Sequence, residues 1–313
     1  MNAPNLNRTP PAAQAVNRAQ AFEAALSKSL EGEVDFGLFT RGRYATDASI
    51  YQIIPRGVAF PKTVADIEAA LTIAAEHDVP VIARGGGTSQ NGQPIGHGLI
   101  LDMSRHFNAV QDYDPEARRI TVRPGMVLNT MNDRLRQDGL FFPVEPSTAS
   151  RCTIGGMCGN NSSGARSLRF GKTADNVLAM EGLLHDGEGF RLDAAPLADH
   201  TSPRMREIMG GLIELADSHR DLIEANFPKL QRRVGGYNLD ELLPAAPNLS
   251  HLLVGSEGTL AISTSVSLQL SPLPAHRVMG VCHFPDFRSA MATTQHLVAL
   301  NPVAVELVDN NVL

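Results

Sequence analysis

The chain has 313 residues, of which 43% are hydrophobic and 19% charged, an ordinary globular balance that favours two domains or one large α/β domain. A formal net charge of −6 argues against a broad nucleic-acid-binding face, and no apolar run reaches the length of a membrane span. Three cysteines without a recognisable export signal indicate a reducing compartment. Cys152 and Cys158 have neither CxxC spacing nor a nearby histidine, so small filler residues near a ligand are favoured over a metal site.

The first hundred residues predict a tail followed by alternating helices and short strands. Met1–Gln14 is rich in Asn, Pro and Ala, a composition typical of a disordered tail. Thr63, with Asp66 three residues later, is a capping-box pattern that predicts the start of a helix ending near His77. The other features predicted here are a helix over 15–30, an irregular segment over 31–50, a short apolar piece at Gly57–Phe60, and strands at Val79–Ala83 and Leu99–Asp102.

The middle of the chain predicts strands and helices around one long loop. Residues 143–172 have weak periodicity and are predicted to be mostly loop, of a length that is usually functional. Within them, Arg151–Gly164 carries four glycines and little side-chain bulk, so its backbone is expected to approach a large polar ligand rather than fill a core. The remaining predicted elements are a hairpin of Val110–Tyr113 with Ile120–Val122, a helix near 127–137, strands at Asn176–His185 and Gly189–Leu192, a helical stretch over 203–226, and strands at Leu252–Val254 and Leu260–Leu270.

Pro272 and Pro274 predict a domain boundary. After it the pattern indicates a strand at Val278–Phe284, a helix at Phe287–Val298 and a strand at Val303–Val308. A single β-α-β unit buries too little surface to be stable alone, so a second domain is expected to begin here and to be incomplete. The predicted division is an N-terminal tail and helix at 1–49, a main domain at 50–275, and the start of a further domain at 276–313.

The glycine triplet Gly85–Gly87 follows a predicted strand and precedes two hydroxyl side chains. Successive N–H groups of such a turn bind phosphate oxygens, and a tight structural turn is the alternative. The spacing excludes two common motifs: a dinucleotide fingerprint would need glycine in place of Gln90, and a Walker loop ending at Gly171–Thr173 would need glycine in place of Arg166. The Gly-Lys-Thr triplet is therefore predicted to be a turn.

Two further segments carry charged residues beside glycine. Glu257 lies between glycines that separate two predicted strands, where a solvated turn residue and a functional acid are both open interpretations. Arg232 and Arg233 precede a Gly-Gly-Tyr-Asn sequence. Adjacent arginines usually face solvent, and the alternative is bidentate binding of a substrate carboxylate.

Taken in order from about residue 50 to 275, these segments resemble the vanillyl-alcohol-oxidase/PCMH-type FAD-binding family, and within it the FAD-linked 2-hydroxy-acid dehydrogenases. That branch includes glycolate oxidase subunits, D-lactate dehydrogenases and D-2-hydroxyglutarate dehydrogenases. The segments that carry the resemblance are Pro80–Ser89, Pro146–Ser147, Thr153–Gly156, Asn161–Gly164, Arg169–Thr173, Asp175–Val177, Gly236–Leu239 and Gly255–Leu260. The resemblance implies an α+β fold with two FAD-binding subdomains, followed by the start of a ferredoxin-like cap domain that supplies the catalytic groups and is nearly all missing.

The activity implied is oxidation of a D-2-hydroxy acid of the lactate, glycolate or 2-hydroxyglutarate class, by hydride transfer from C2 to flavin N5. Family members with covalent flavin carry a histidine in the glycine-rich turn, where Thr88 and Ser89 stand here, so FAD is expected to be non-covalent. The residues implied to bind FAD are Arg84, Gly85, Gly86, Gly87, Thr88, Ser89, Gly92, Gln93, Pro146, Ser147, Thr153, Gly155, Gly156, Asn161, Ser163, Gly164, Glu257, Gly258 and Ile262. The candidates for substrate contact are Arg232, Arg233, Tyr237 and Asn238, and no metal ligands are implied.

The alternative function is a non-catalytic flavin-binding subunit that a partner chain completes. The expected partners are a small 2-hydroxy acid and an electron-acceptor protein or quinone, without nucleic acid. The expected location is the cytoplasm, with peripheral attachment to the inner face of the membrane left open.

Overall fold

In the computed structural model, which describes residues 12–199 and 202–309, two β-sheets and a short strand pair organise the chain. The strands are β1 (Glu33–Asp35), β2 (Gly57–Phe60), β3 (Val81–Arg84), β4 (Leu99–Asp102), β5 (Val110–Asp114), β6 (Arg119–Val122), β7 (Leu140–Phe141), β8 (Val177–Leu183), β9 (Gly189–Asp193), β10 (Ile262–Gln269) and β11 (Ser271–Pro272). The described helices are α1 (Ala12–Ser29), α2 (Leu38–Arg43), α3 (Val64–Glu76), α4 (Leu128–Leu135), α5 (Ile154–Asn160), α6 (Ser167–Phe170), α7 (Pro203–Ser218), α8 (Arg220–Asn226) and α9 (Phe287–Val298). None of them is long and apolar enough to cross a membrane.

The smaller sheet has the strand order β1-β2-β4-β3. Strands β2, β3 and β4 run parallel, and β1 is antiparallel to β2. Helices α1 and α3 pack on this sheet through buried side chains such as Phe22, Leu26 and Ile67. The glycine-rich turn begins where β3 ends, at the carboxyl edge of the parallel strands, which is where ligands bind in many α/β proteins.

The larger sheet is antiparallel and has the order β5-β6-β10-β8-β9. Its core is separate from that of the smaller sheet and includes Leu128 and Met131 of α4 and Val266 of β10. Leu183 of β8 and Ile262 of β10 belong instead to the core of the smaller sheet. The two sheets therefore meet at the ends of β8 and β10, and mixed helices and sheets confirm the predicted α+β class.

Most predicted elements of the first half are confirmed. Helix α3 begins with the predicted capping box, in which the Thr63 side chain accepts a hydrogen bond from the N–H of Asp66 and the Asp66 carboxylate accepts one from the N–H of Thr63. Strands β5 and β6 form the predicted hairpin. The predicted irregular segment 31–50 is wrong in part, because it contains β1 and α2. The tail predicted for Met1–Gln14 lies mostly outside the described residues.

Helix α5 corrects the prediction of a long loop over 143–172 and the inference that its small residues cannot fill a core. Thr153 caps this helix, and Ile154, Met157 and Cys158 follow at helical spacing and are buried in the larger core. The glycines between them made the segment look irregular. The segment is a helix whose buried apolar residues alternate with glycines.

The strand predictions after residue 250 are mostly wrong. Instead of a strand, Leu252–Val254 overlaps the end of a 3₁₀ helix at Leu249–Leu252. Asn248 caps this helix by accepting a hydrogen bond from the N–H of Ser250. Apolar runs this short do not distinguish buried strands from buried helical turns. Val278–Phe284 and Val303–Val308 form no strand in the described part of the chain, whereas α9 and β10 match their predictions.

Asp66 is a buried acid that joins α3 to the segment before β1. Its carboxylate accepts hydrogen bonds from the backbone N–H groups of Glu31, Gly32, Lys62 and Thr63, at N···O distances of 2.7, 3.0, 2.7 and 3.3 Å. Burial alone raises the pKa of this carboxyl, but the four N–H donors outweigh burial and hold the pKa below its ordinary value.

Asp66→Asn is expected to lower the free energy of unfolding by about 2–3 kcal/mol at neutral pH, because charge-assisted hydrogen bonds are replaced and one N–H group loses its acceptor. The folded-state pKa lies below the unfolded one, so this stabilisation is complete above a pH of about 4 and is lost as pH falls through the folded pKa. Urea unfolding at several pH values measures both effects. Asp114→Asn is the control, because Asp114 is exposed and, among the described residues, its carboxylate accepts one hydrogen bond, from the N–H of Ala117 at 2.9 Å. An acid-side decline in Asp66→Asn parallel to that of the wild type would contradict the assignment.

Candidate functional site

The glycine-rich turn after β3 lies directly against the segment before α5. A Cβ atom built on Gly85 would lie 2.0 Å from Thr153 Oγ1, and one built on Gly86 would lie 2.3 Å from the carbonyl oxygen of Arg151. Gly87 has a φ of +65°, a conformation that residues with side chains rarely adopt. Glycine is therefore required here both for close approach and for backbone conformation.

The backbone N–H groups of this turn have no acceptor in the part of the chain that the structure describes. Within residues 12–199 and 202–309, the N–H groups of Gly85–Ser89 donate no hydrogen bond to another described residue. Unpaired N–H groups in a glycine-rich turn are suited to binding phosphate oxygens. The arrangement favours the phosphate-binding interpretation of Gly85–Gly87 over a purely structural turn.

Arg84 and Gln93 flank the turn. The buried Arg84 guanidinium contacts backbone carbonyl oxygens rather than the open side of the turn, and burial lowers its pKa. Ser89 Oγ donates to Gln93 Oε1. The Gln93 side chain also lowers the pKa of the Glu257 carboxyl, so it lies near the loop before β10.

The N–H groups in the first turn of α5 donate hydrogen bonds to other atoms of the protein. Ile154 N–H donates to the carbonyl of Met126 at 2.8 Å, Gly155 N–H to that of Pro124 at 2.7 Å, and Gly156 N–H to Thr153 Oγ1 at 3.3 Å. Gly155 also lies where a Cβ would be 2.5 Å from the ring of Pro124. In this structure Gly155 therefore serves helix packing, while Gly156 lies on the exposed side.

Asn161 ends α5 in the left-handed conformation, with φ of 49°, and is completely buried. Its Oδ1 accepts a hydrogen bond from the N–H of Ala174 at 3.1 Å, whereas its Nδ2 is buried without a partner among the described residues. Gly255 lies next to this side chain, because a Cβ built on it would be 3.5 Å from Asn161 Cβ. A buried donor without an acceptor is costly, and a bound ligand oxygen would satisfy it.

The segment after Asn161 is held by the protein on both sides. Gly164 N–H donates to Ser167 Oγ at 2.9 Å, and a Cβ on Gly164 would lie 2.0 Å from the carbonyl oxygen of Glu145. Pro146 is half-buried beside this contact, and Ser147 is exposed. The predicted pair at 146–147 thus adjoins Gly164 rather than the glycine-rich turn itself.

The loop at Gly255–Gly258 contacts the end of α5. Gly255 N–H donates to the carbonyl of Cys158 at 2.8 Å, and Glu257 N–H donates to that of Gly159 at 2.9 Å. Glu257 has φ of 54°, and partial burial raises the pKa of its carboxyl, an effect that the hydrogen bond from Gln93 reduces. Ile262 was also predicted to contact FAD, but its side chain is buried in the core of the smaller sheet.

The four candidates for substrate contact divide into two pairs. Asn238 is fully buried and donates to the carbonyl oxygens of His251 and Val254, and Arg233 forms an ion pair with Asp240 at 2.5 Å. Both are thus engaged in holding the 230–255 region together. Arg232 and Tyr237 are exposed. Arg232 donates to Ser163 Oγ at 3.3 Å, and the Tyr237 hydroxyl lies 2.8 Å from Thr259 Oγ1.

The Gly171–Thr173 triplet, predicted to be a turn, is the short connection between α6 and a 3₁₀ helix at Ala174–Asn176. Gly171 has φ of +74°, and the N–H of Lys172 donates to Asp175 Oδ2 at 2.8 Å. The Lys172 ammonium lies 3.2 Å from Asp175 Oδ1 and 3.7 Å from Glu241 Oε1, so its charge is paired inside the protein.

Cys152 and Cys158 are buried, and burial raises the pKa of both thiols, to about 12 for Cys158. A thiol with a raised pKa is a poor nucleophile and metal ligand. No group of three or more His, Cys, Asp or Glu within the described residues could hold a metal ion.

Residues 55–193 match the family model described as an FAD binding domain. Residues 55–193 are thus similar to an FAD-binding domain of the PCMH type. Its unpaired N–H groups at Gly85–Ser89 and its unpaired Asn161 Nδ2 fit FAD, which presents phosphate, hydroxyl and carbonyl oxygens. The match confirms the predicted cofactor as FAD, and its non-covalent attachment stays a prediction.

The curated relatives are much longer than this chain. The D-2-hydroxyglutarate dehydrogenase of Pseudomonas putida is 34% identical over 313 residues, which cover 96% of this chain and 31% of that protein. The glycolate oxidase subunit GlcD of Bacillus subtilis is 31% identical over 291 residues, which cover 91% of this chain and 52% of that protein. The chain thus spans about a third to a half of these relatives.

Solved structures support the fold of the FAD-binding domain. An alkyldihydroxyacetonephosphate synthase matches with a TM-score of 0.62 and 17% identity, over 97% of this chain and 49% of that one. The BBE-like 1 protein of Physcomitrella patens matches with a TM-score of 0.57 and 17% identity, over 80% of this chain and 44% of that one. At these identities the likeness concerns the fold alone.

Proposed function

We propose that this FAD-binding domain is part of an oxidoreductase that oxidises a D-2-hydroxy acid to the 2-oxo acid. The observation that carries the proposal is the meeting of three glycine-bearing segments, Gly85–Ser89, Thr153–Gly164 and Gly255–Gly258, around unpaired hydrogen-bond donors. The relatives named D-2-hydroxyglutarate dehydrogenase, GlcD and D-lactate dehydrogenase support the substrate class.

In this proposal the chain binds the two halves of FAD with different segments. The N–H groups of Gly85–Ser89, with Gly92 and Gln93 beside them, hold the pyrophosphate. Thr153, Asn161 and the neighbouring residues Pro146, Ser147, Gly156, Ser163 and Gly164 line the rest of the cofactor, with Glu257 and Gly258 toward its adenine-ribose half. Gly155 and Ile262 support these segments from inside the protein. Thr88 and Ser89 offer no nitrogen for a flavin bond, so the cofactor is non-covalent, and acid precipitation of the protein should leave the flavin in solution.

The reaction class sets what the residues must do. Bound FAD supplies the acceptor for the hydride that leaves C2 of the hydroxy acid. The hydroxyl proton leaves to a base, which we place outside residues 50–275, and the substrate carboxylate requires a cation. Arg232 is our candidate for that cation, because it is exposed beside Ser163 and the neighbouring Arg233 is already paired with Asp240. We infer that an electron-acceptor protein or quinone then reoxidises the flavin.

Anaerobic titration of the FAD-loaded protein tests the proposal. Addition of D-2-hydroxyglutarate, D-lactate or glycolate is expected to bleach the visible flavin absorbance with at least one of them, and L-lactate serves as the stereochemical control. Because the base is placed outside residues 50–275, FAD binding without bleaching by any of the acids contradicts the substrate class only if bleaching also fails after a protein that supplies the base is added. A protein that takes up no FAD contradicts the proposal as a whole.

We also propose that 50–275 is one domain, onto which α1 and β1 of the predicted 1–49 segment pack, and that 276–313 begins another. Strand β11 still pairs with β7, whereas α9 contributes no buried residue and Val278 is 97% exposed. Limited proteolysis of the FAD-loaded protein is expected to cut first between Leu273 and Asp286 and to leave a fragment that retains FAD. Initial cleavage within 50–270 would contradict the division.

The exposed apolar side chains of this last segment favour a second candidate function, a flavin-binding subunit that another chain completes. They include Met279, Phe287 and Met291. Turnover of a 2-hydroxy acid by the purified monomer would exclude this candidate. Flavin bleaching only after a second protein is added would support it.

A further inference from the structure

Arg84 connects both ends of the glycine-rich turn. Its Nη1 lies 3.3 Å from the carbonyl oxygen of Pro94, which follows the flanking residue Gln93, and 3.4 Å from that of Tyr44. Its Nη2 donates to the carbonyl of Thr46 at 2.8 Å. The side chain thus bridges the start of the turn, its end and the neighbouring 44–46 segment.

The turn closes over this guanidinium. A Cβ built on Gly87 would lie 2.4 Å from Arg84 Nη2, so the middle of the turn rests on the arginine. The neighbouring segment is attached to the turn a second time, because Ala48 N–H donates to the carbonyl of Ser89 at 3.0 Å. The unpaired N–H groups therefore belong to a loop that is supported from beneath by a charged side chain.

The guanidinium is itself fixed by its surroundings. It lies over the ring of Tyr44, with its carbon 5.2 Å from the ring centroid. The Tyr44 hydroxyl donates to Asp102 Oδ2, and Asp102 is the β4 residue paired with Arg84 in the parallel ladder. Asp102 Oδ1 in turn accepts hydrogen bonds from the N–H and hydroxyl of Ser104, both at 2.7 Å. The planar guanidinium directs its N–H groups toward three carbonyl oxygens at once, which the compact ammonium group of a lysine could not do.

We propose that Arg84 is a positioning residue, whose side chain fixes the turn so that the N–H groups of Gly85–Ser89 face the pyrophosphate of FAD. This role is separate from the one implied by its place in the turn, since the guanidinium faces carbonyl oxygens and not the cofactor. The inference rests on the proposed binding of the pyrophosphate by this turn. Tyr44, Thr46 and Pro94 become parts of the site, although none of them would touch the cofactor.

The affinities for three ligands distinguish a role in positioning the turn from a general role in stabilising the fold. Calorimetric titrations with FAD, ADP and riboflavin compare the wild type with Arg84→Met and Arg84→Lys. For Arg84→Met we expect the dissociation constants of FAD and ADP to rise together by about tenfold or more, because small displacements of preorganised donors are costly. Riboflavin lacks phosphate, so its dissociation constant should stay within about twofold of the wild type in both variants.

Arg123→Met is the matched control. Arg123 also lies over an aromatic ring, that of Phe107 at 5.1 Å, and donates to one backbone carbonyl, that of Thr264 at 2.8 Å. We expect it to leave the affinities for FAD and ADP unchanged. If Arg84→Met does not fold, Tyr44→Phe, which removes only the hydroxyl bonded to Asp102, is expected to give a smaller loss for the same two ligands.

Three results would overturn the inference: unchanged FAD and ADP affinities in Arg84→Met, an equal loss for riboflavin, or an equal loss in Arg123→Met. If the wild type binds FAD and only these comparisons fail, the proposed function stands and the role of Arg84 is wrong. If the wild type binds neither FAD nor ADP, both are wrong.

Discussion

Replacement of Gly86 by alanine is expected to weaken FAD binding by about 100-fold or more, because the turn that carries the phosphate-binding N–H groups must move. The new Cβ would lie 2.3 Å from the carbonyl oxygen of Arg151, a backbone atom that cannot rotate away. Arg151 directly precedes the segment that caps α5, so displacement on that side would disturb a second part of the site. Fluorescence titration of the apo-protein with FAD measures the loss.

A second glycine variant separates this effect from the general consequence of adding a methyl group. Gly211 lies in α7, and nothing lies within 4 Å of a Cβ built on it. Gly211→Ala should leave FAD affinity unchanged and should stabilise the protein by about 0.5–1 kcal/mol, as expected for alanine in place of glycine within a helix. Wild-type affinity in Gly86→Ala would show that the turn tolerates displacement, and the assignment of its N–H groups would then fail.

Local sequence signals predicted those parts of the fold that depend on local contacts. The Thr63–Asp66 capping box and the hairpin of β5 with β6 each rest on residues a few positions apart, and both are confirmed. The glycine triplet was also placed correctly directly after a strand. Its requirement for glycine, however, arises from contact with residues 151–153, which the sequence alone does not place beside it.

The remaining features depend on tertiary contacts. Helix α5 was missed because three of its seven residues are glycines, and its stability comes from the Thr153 cap and from burial of Ile154, Met157 and Cys158. The role of Arg84 was missed for a related reason. Two of its three carbonyl partners lie about 40 residues earlier, in a segment without periodicity.

The second large change in FAD affinity is expected from a substitution of Asn161, whose amide nitrogen has no partner among the described residues. Asn161→Asp keeps the size of the side chain, its tolerance of the left-handed conformation and an oxygen for the N–H of Ala174. It replaces the unpaired Nδ2 donor by an oxygen that cannot donate when ionised. If this donor binds an oxygen of FAD, affinity should fall by about 10–100-fold near neutral pH, the equivalent of losing a donor to a buried acceptor.

The pH dependence of that variant tests the same donor a second way. A buried carboxyl without a cationic partner has a raised pKa, so a lower pH protonates the introduced carboxylate of Asn161→Asp and restores an O–H donor at this position. The FAD affinity of this variant should therefore recover as pH falls, while that of the wild type stays level. Asn176→Asp is the control, because the Asn176 amide donates to the carbonyls of Phe170 and Lys172 at 2.9 and 3.0 Å and so lies within the protein's own network. It should lower the melting temperature without a pH-dependent change in FAD affinity, and the same recovery in both variants would refute a specific role for Asn161.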